Sequence, residues 1–151
     1  MRYVGHIVKV DKFWAIEVPI LDVITQGRTK KEAYEMIADA IETLANKEGF
    51  KLNVYPGEGE DFEIDSDDTT TLLALLLKRQ RVKHGLTLIE ASKRLGSSSQ
   101  NAFARYEQGK TRPTMQMFER LLKAIAPEKE YVIVEKEKRK GPGKSMTGQT
   151  L

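Results

Sequence analysis

Tyr3–Val10 alternates loosely between apolar and polar positions. Trp14, Ile16 and Val18 then share one side of an extended stretch, opposite Ala15 and Glu17. A period of two predicts half-buried strands. Asp11–Lys12 is the expected hairpin turn, Pro19 ends the second strand, and a third short strand is expected around Val23–Thr25, before Gly27. The period then changes. Thr29 and Glu32 spell a T-x-x-E capping box, in which the hydroxyl accepts from the third helical amide and the carboxylate reaches back. Ala33, Met36, Ile37, Ala40, Ile41 and Leu44 follow at three- and four-residue spacing as one apolar stripe, and Gly49 is expected to stop that helix. Phe50, Leu52 and Val54 alternate once more. The order β-β-(β)-α-β predicts an α+β domain over residues 1–55, a small sheet covered on one face by one helix.

Residues 56–68, PGEGEDFEIDSDD, are acidic and poor in packing residues. They predict an acidic linker over 56–71, with at most a strand at Phe62–Ile64 that builds no core. Helical spacing then takes over. Residues 72–84 are leucine-rich and then basic through Lys78, Arg79, Arg81 and Lys83, with Gly85 behind them. Residues 87–95 predict a second helix closed by Gly96. A serine run leads into a third at 99–108, closed by Gly109. Pro113 and Thr114 start a fourth, with Phe118, Leu121, Leu122 and Ile125 along one face. This gives an all-α domain over 72–127. Within 128–138, Tyr131–Glu135 (YVIVE) is β-branched and alternating and predicts a C-terminal strand. Helices offer it no partner. It is expected to pair between chains as a dimerisation element, the alternative being a return to the first domain's sheet. Residues 139–151, rich in basic residues and then in Gly, Ser and Thr, are expected to be a flexible tail.

Charge sharpens this division. The net +3 over 151 residues is a cancellation: residues 1–71 hold 8 Lys/Arg against 15 Asp/Glu, and residues 72–151 hold 17 against 7. An acidic module is thus joined to one suited to a polyanion. With no cysteine and only His6 and His84, a disulfide scaffold, a thiol nucleophile and a multi-histidine metal centre are all disfavoured. No cofactor or metal ligand set is expected. No apolar run approaches a membrane span and the start MRYVGHIV lacks a leader pattern, so a soluble, cytoplasmic protein with no membrane partner is expected.

Four short helices with glycine-punctuated turns and a basic excess predict a helix-turn-helix module. Ser92 is the small residue where the next helix crosses closely, and Gly96 stands where the turn needs positive φ. Phe103 and Tyr106 anchor the third helix. That leaves Gln100, Asn101 and Arg105 outward, with amides suited to adenine and a guanidinium suited to guanine or phosphate. The predicted DNA-binding set is Ser98, Ser99, Gln100, Asn101, Arg105, Lys110 and Arg112. The stretch LTLIEASKRLGSSSQNAFARYEQGKTRPT resembles the Cro/repressor-type helix-turn-helix family. The carriers are Leu86–Thr87, Ser92, Leu95–Gly96, Arg105–Tyr106–Glu107, Gly109 and Arg112–Pro113–Thr114. The resemblance implies a structural ion pair from Glu107 to an arginine of the first helix, for which Arg81 is the candidate. Ser92 stands where that family prefers Ala, and Leu88 where it often has a phosphate-touching Gln. The stretch Gly96–Glu107 is one residue longer than usual, so the groove-facing set is defined only to within one position.

The first half, YVGHIVKVDKFWAIEVPILDVITQGRTKKEAYEMIADAIETL, resembles the HicB antitoxin family of HicA–HicB toxin–antitoxin modules. The matching features are the strand pair, Val18–Pro19, Leu21–Asp22, and then Thr25, Gly27, Thr29, Glu32 and Ala33. The resemblance implies a partial ribonuclease-H-like domain that binds and neutralises a HicA-type ribonuclease toxin. It also implies a second domain that represses the operon at double-stranded operator DNA, as a homodimer or higher oligomer. The toxin-contacting residues are unknown at this level. Catalysis is not expected. Asp11 lies in a turn, Glu17 alternates outward and the acids of 58–68 read as solvated, so no two-metal site is formed. His6 reads as a strand residue rather than a base, and Trp14 as a core or interface anchor. The alternative is a stand-alone transcriptional regulator whose N-terminal domain senses a small molecule.

Overall fold

The computed structural model describes residues 1–97 and 99–138. They divide into two compact units, Met1–Thr69 with Lys136 onward, and Thr70–Glu135.

The first unit is a five-stranded antiparallel sheet of order β3-β2-β1-β5-β4, built from β1 (Tyr3–Val10), β2 (Phe13–Val18), β3 (Val23–Gly27), β4 (Asn53–Pro56) and β5 (Asp61–Asp65). The predicted hairpin forms, with Val10 opposite Phe13 and Asp11 in the left-handed region at φ 55°. A short 3-10 turn, Pro19–Leu21, separates β2 from β3. Helix α1 (Lys30–Ala45) starts with half of its predicted capping box: Thr29 Oγ1 accepts from the Glu32 amide at 3.0 Å, but the Glu32 carboxylate reaches one residue further back, to the Arg28 amide at 2.9 Å, rather than to the Thr29 amide. Ala33, Ile37 and Ile41 form its buried inner stripe, and Ile7, Ile16, Val18 and Leu21 are buried in the same unit. The helix ends earlier than Gly49 suggests. Asn46 takes the left-handed conformation (φ 48°), its amide still reaching the Glu42 carbonyl, because a short polar side chain tolerates that region.

The largest correction concerns residues 56–71. They are no linker: β5 lies between β1 and β4, and Phe62 and Ile64 are fully buried. The domain therefore runs to Thr69 rather than to residue 55. The acids Asp61, Glu63 and Asp65 occupy alternate positions and face away from that core. Each is held: Asp61 by His6 Nδ1 (3.1 Å), Glu63 by Arg2 Nη1 (3.1 Å), and Asp65 by Asn53 and Tyr55 (2.9 and 3.0 Å). The Phe62 ring lies where a Cβ on Gly5 would stand, 2.1 Å from its Cζ, so β1 needs glycine opposite Phe62.

The second unit packs α2 (Thr69–Lys83), α3 (Leu88–Arg94), α4 (Ala102–Glu107) and α5 (Met115–Ile125), four helices as the glycine punctuation predicts. Leu72, Ala74, Leu75, Leu76 and Leu77 are buried around most of α2, as suits a central helix. Phe103, Leu121 and Ile125 complete the core, with Phe118 half-buried. No strand forms at 131–135: the segment has no regular structure, and Val132, Ile133 and Val134 are 86, 93 and 69 % exposed. The reason is the one the sequence gives against it, that a strand needs an edge to pair with. The compact units also divide after Glu135 rather than bounding a separate segment at 128–138. The tail 139–151 lies outside the described residues. No helix among the described residues is long and apolar enough to cross a membrane.

Candidate nucleic-acid interface

Helix α3 is fixed at both ends by its own sequence. Thr87 Oγ1 accepts from the Glu90 amide (3.1 Å) while Glu90 accepts from the Thr87 amide (2.9 Å), a full capping box. The hydrogen bond from the Thr87 backbone, and after it the Thr87 hydroxyl, hold the Glu90 carboxyl below its ordinary pKa. At the other end Gly96 adopts φ +82°, with its amide on the Lys93 carbonyl and the Ser97 amide on the Ser92 carbonyl. That is the Schellman pattern, and it requires the positive φ expected at Gly96.

Helix α4 follows. Its inner face is Phe103 (0 % exposed) and Ala104, with Tyr106 half-buried. Ser99, Gln100, Asn101 and Arg105 are exposed, as are Lys110 and Arg112 beyond the helix. Arg112 Nε also donates to Thr70 Oγ1 (3.1 Å). Ser98, the remaining member of the predicted set, lies outside the described residues. The hydrogen-bonding side chains predicted to read bases are thus brought together along the entry and outer face of one short helix. That helix is anchored by a buried aromatic.

The predicted ion pair forms. Arg81 Nε and Nη2 donate to Glu107 at 2.5 and 3.1 Å, and Arg81 Nη1 donates to the Leu86 carbonyl at 2.7 Å. The two side chains are only 12 and 7 % exposed. This withdraws Arg81 from the basic run Lys78, Arg79, Arg81 and Lys83 of α2. Arg94 and Arg120 are likewise engaged: Arg94 donates to the Ala124 and Ile125 carbonyls (3.3 Å each), and Arg120 to the Leu95 carbonyl (3.1 Å). They close helix C-termini, and the basic excess overstates the charge left for DNA.

Two contributors escape a reading of the sequence. The Thr87–Glu90 box has the same T-x-x-E spelling as Thr29–Glu32, so the signal was present. Ser92 does more than fit a close crossing. Its hydroxyl donates to the Gln100 carbonyl (3.1 Å) and accepts from the Phe103 amide (3.2 Å). Small size alone does not announce that role. Among the described residues, no group of three or more His, Cys, Asp or Glu is placed to hold a metal ion.

Residues 72–126 match the model of a protein family described as Helix-turn-helix domain. That match and the geometry of α3 and α4 support DNA binding, and with it a part in transcription regulation. No curated protein matches the chain.

Proposed function

We propose that this chain is a cytoplasmic, non-enzymatic antitoxin of the HicB kind, which neutralises a HicA-type ribonuclease and represses its own operon. The observation that carries the DNA half is the exposed set Gln100, Asn101 and Arg105 at the entry and on the outer face of a helix locked by Phe103 and the Arg81–Glu107 pair. The toxin half rests on the resemblance of residues 1–55, and two features of the first unit support it. Its residues are acidic in balance, which attracts and steers a basic RNA-binding protein. Its sheet also has one face that α1 does not cover, with Val4, Val8, Val10, Phe13 and Ile24 exposed near Glu17 and Asp61. The β1–β2–β3 meander followed by α1 is what supports a partial ribonuclease-H-like descent.

Two measurements test the reading. The full chain, used to enrich duplexes from a randomised-core library, should select one sequence, and Arg105→Ala should weaken its binding about tenfold or more without lowering the melting temperature. Affinity should also fall steeply with salt as phosphate contacts release counterions. For the toxin half, stoichiometric full-length chain should abolish RNA cleavage by a HicA-type protein. Undiminished cleavage sinks the antitoxin reading and leaves a plain DNA-binding regulator. Dimerisation through Tyr131–Glu135 belongs to the same proposal, supported by that segment's exposure. Deleting residues 129–151 should turn a sedimenting dimer into a monomer.

A further inference from the structure

Helix α4 positions Arg105 and directly follows Gln100 and Asn101. Ser99 takes the Asn101 amide on its hydroxyl (3.2 Å) and the Ala102 amide on its carbonyl (3.4 Å), which leaves the Phe103 amide to be closed from elsewhere. Asn101 stands at the N-cap with φ −101° and ψ 4°, and its side chain makes no capping hydrogen bond. The chain reaches it through residues 95–101, a connection longer than the turn of about 3–4 residues common between the two helices of such a motif. A long connection leaves the second helix free to shift along and around its axis unless something else fixes it.

The buried Phe103 ring and the Arg81–Glu107 pair hold the body and far end of α4, and Ser92, inside α3 and 1 % exposed, adds a constraint at its start. Its Oγ accepts from the Phe103 amide at 3.2 Å and donates to the Gln100 carbonyl at 3.1 Å. Phe103 is the second residue of α4, and its amide is one that an N-cap side chain ordinarily takes. One buried hydroxyl therefore grips the chain on both sides of the helix start. The Phe103 ring is seated in the core directly after it.

We propose that Ser92 is a positioning residue for DNA recognition: from α3 it caps α4 and fixes where Gln100, Asn101 and Arg105 are presented. This rests on the DNA-binding reading of residues 72–126. Alanine at 92 keeps the Cβ packing but strips a partner from a buried amide and from the Gln100 carbonyl. Both regain one only if the start of α4 moves toward water. Base-edge hydrogen bonds depend on that placement, whereas the attraction of exposed Lys110 and Arg112 for phosphate does not. The loss therefore falls on discrimination between sequences, not on general affinity.

The test uses the full chain and the duplex it enriches from a randomised-core library, with a scrambled duplex of equal length. Ser92→Ala should lower the ratio of the two dissociation constants at least about tenfold, with scrambled-duplex affinity held within about twofold. Leu122→Ala, a truncation in the core face of α5, should lower the melting temperature and leave the ratio unchanged. A Ser92→Ala ratio equal to the wild-type one overturns the proposal, as does equal weakening on both duplexes. Hydrogen exchange on the wild-type chain tests it whether or not Ser92→Ala folds. The Phe103 amide should be as protected as those of α3, and exchange as fast as at Val132–Val134 overturns the proposal. Failure of the wild-type chain to enrich any sequence removes the DNA-binding reading and this inference together, an outcome distinct from the others.

Discussion

Each unit of the molecule contains an arginine–glutamate pair, and the two differ in what encloses them. In the helical unit Arg81 meets Glu107 through two donors and spends its third on the Leu86 carbonyl, with both side chains nearly buried. In the sheet unit Arg2 meets Glu63 through one nitrogen at 3.1 Å, is 18 % exposed, and lies with its guanidinium carbon 3.5 Å from the Tyr55 ring centroid. The first pair is a forked bond in a low-dielectric site, where losing one partner strands the other. The second is a single contact in which each ion keeps another charge nearby, Asp65 4.0 Å from Arg2 and Lys136 3.6 Å from Glu63, although Glu63 is itself only 9 % exposed. Both draw on charges that a count of the chain assigns to function. Charge balance describes a unit's field; the charges in close pairs belong to its architecture.

The sharpest way to break the comparison is to ask whether the acidic stretch is part of the fold at all. Phe62→Ala removes a fully buried ring between Gly5 and Tyr34, whose ring it meets edge-on at 5.4 Å. A cost of about 3–5 kcal/mol is expected, from lost transfer energy and the cavity left behind. In a linker the same change would cost almost nothing. Denaturant unfolding followed at sheet-sensitive far-UV wavelengths decides between them.

The second test compares the two pairs directly. Glu107→Ala should destabilise the helical unit by about 2–4 kcal/mol, since Arg81 would keep its buried position without a counter-charge. Glu63→Ala should cost the sheet unit less, about 1 kcal/mol, as Arg2 keeps Asp65 at 4.0 Å and the Tyr55 ring. Equal losses in thermal melts of the two variants would remove the distinction drawn from donor count and second partners.

These contrasts also show why the helical unit was readable and the sheet unit only partly so. Glycines at 85, 96 and 109 mark helix ends because positive φ restricts the choice of residue, and all three adopt it. Phe103 and Glu107 sit at spacings that make sense only within the motif. By contrast β5 spells D-F-E-I-D, a five-residue strand whose two core residues are outnumbered by acids. Composition averaged over 56–68 hid an alternation that pairing with β1 and β4 makes decisive. Such pairing is non-local and leaves no mark in the segment itself. Ser92 failed to announce itself for a similar reason: its partners lie 8 and 11 residues ahead, and nothing at position 92 distinguishes a capping hydroxyl from a small packing residue. The YVIVE alternation predicts a strand, but none forms there, since no edge pairs with it among the described residues.

The smallest effect separates a local signal from a tertiary one. Glu90 is fully exposed, so what holds its carboxyl below the usual pKa is led by the Thr87 amide, then the Thr87 hydroxyl, with Arg94 and Lys93 assisting. A carboxylate with a depressed folded pKa stabilises the folded state above its unfolded pKa, and that stabilisation is lost as pH falls through the folded value. The helical unit should therefore lose a small increment of stability on acidification below the usual carboxylate range. Glu90→Gln cannot titrate, yet its amide oxygen can still accept from the Thr87 amide. Melting temperatures followed from pH 6 down to about pH 3 should fall less steeply for Glu90→Gln than for the wild-type chain. Parallel pH profiles would show that the box acts through geometry alone, with the charge on Glu90 contributing nothing. Glu107→Ala should instead lower the melting temperature already at pH 6, where the loss of a buried partner is felt in full.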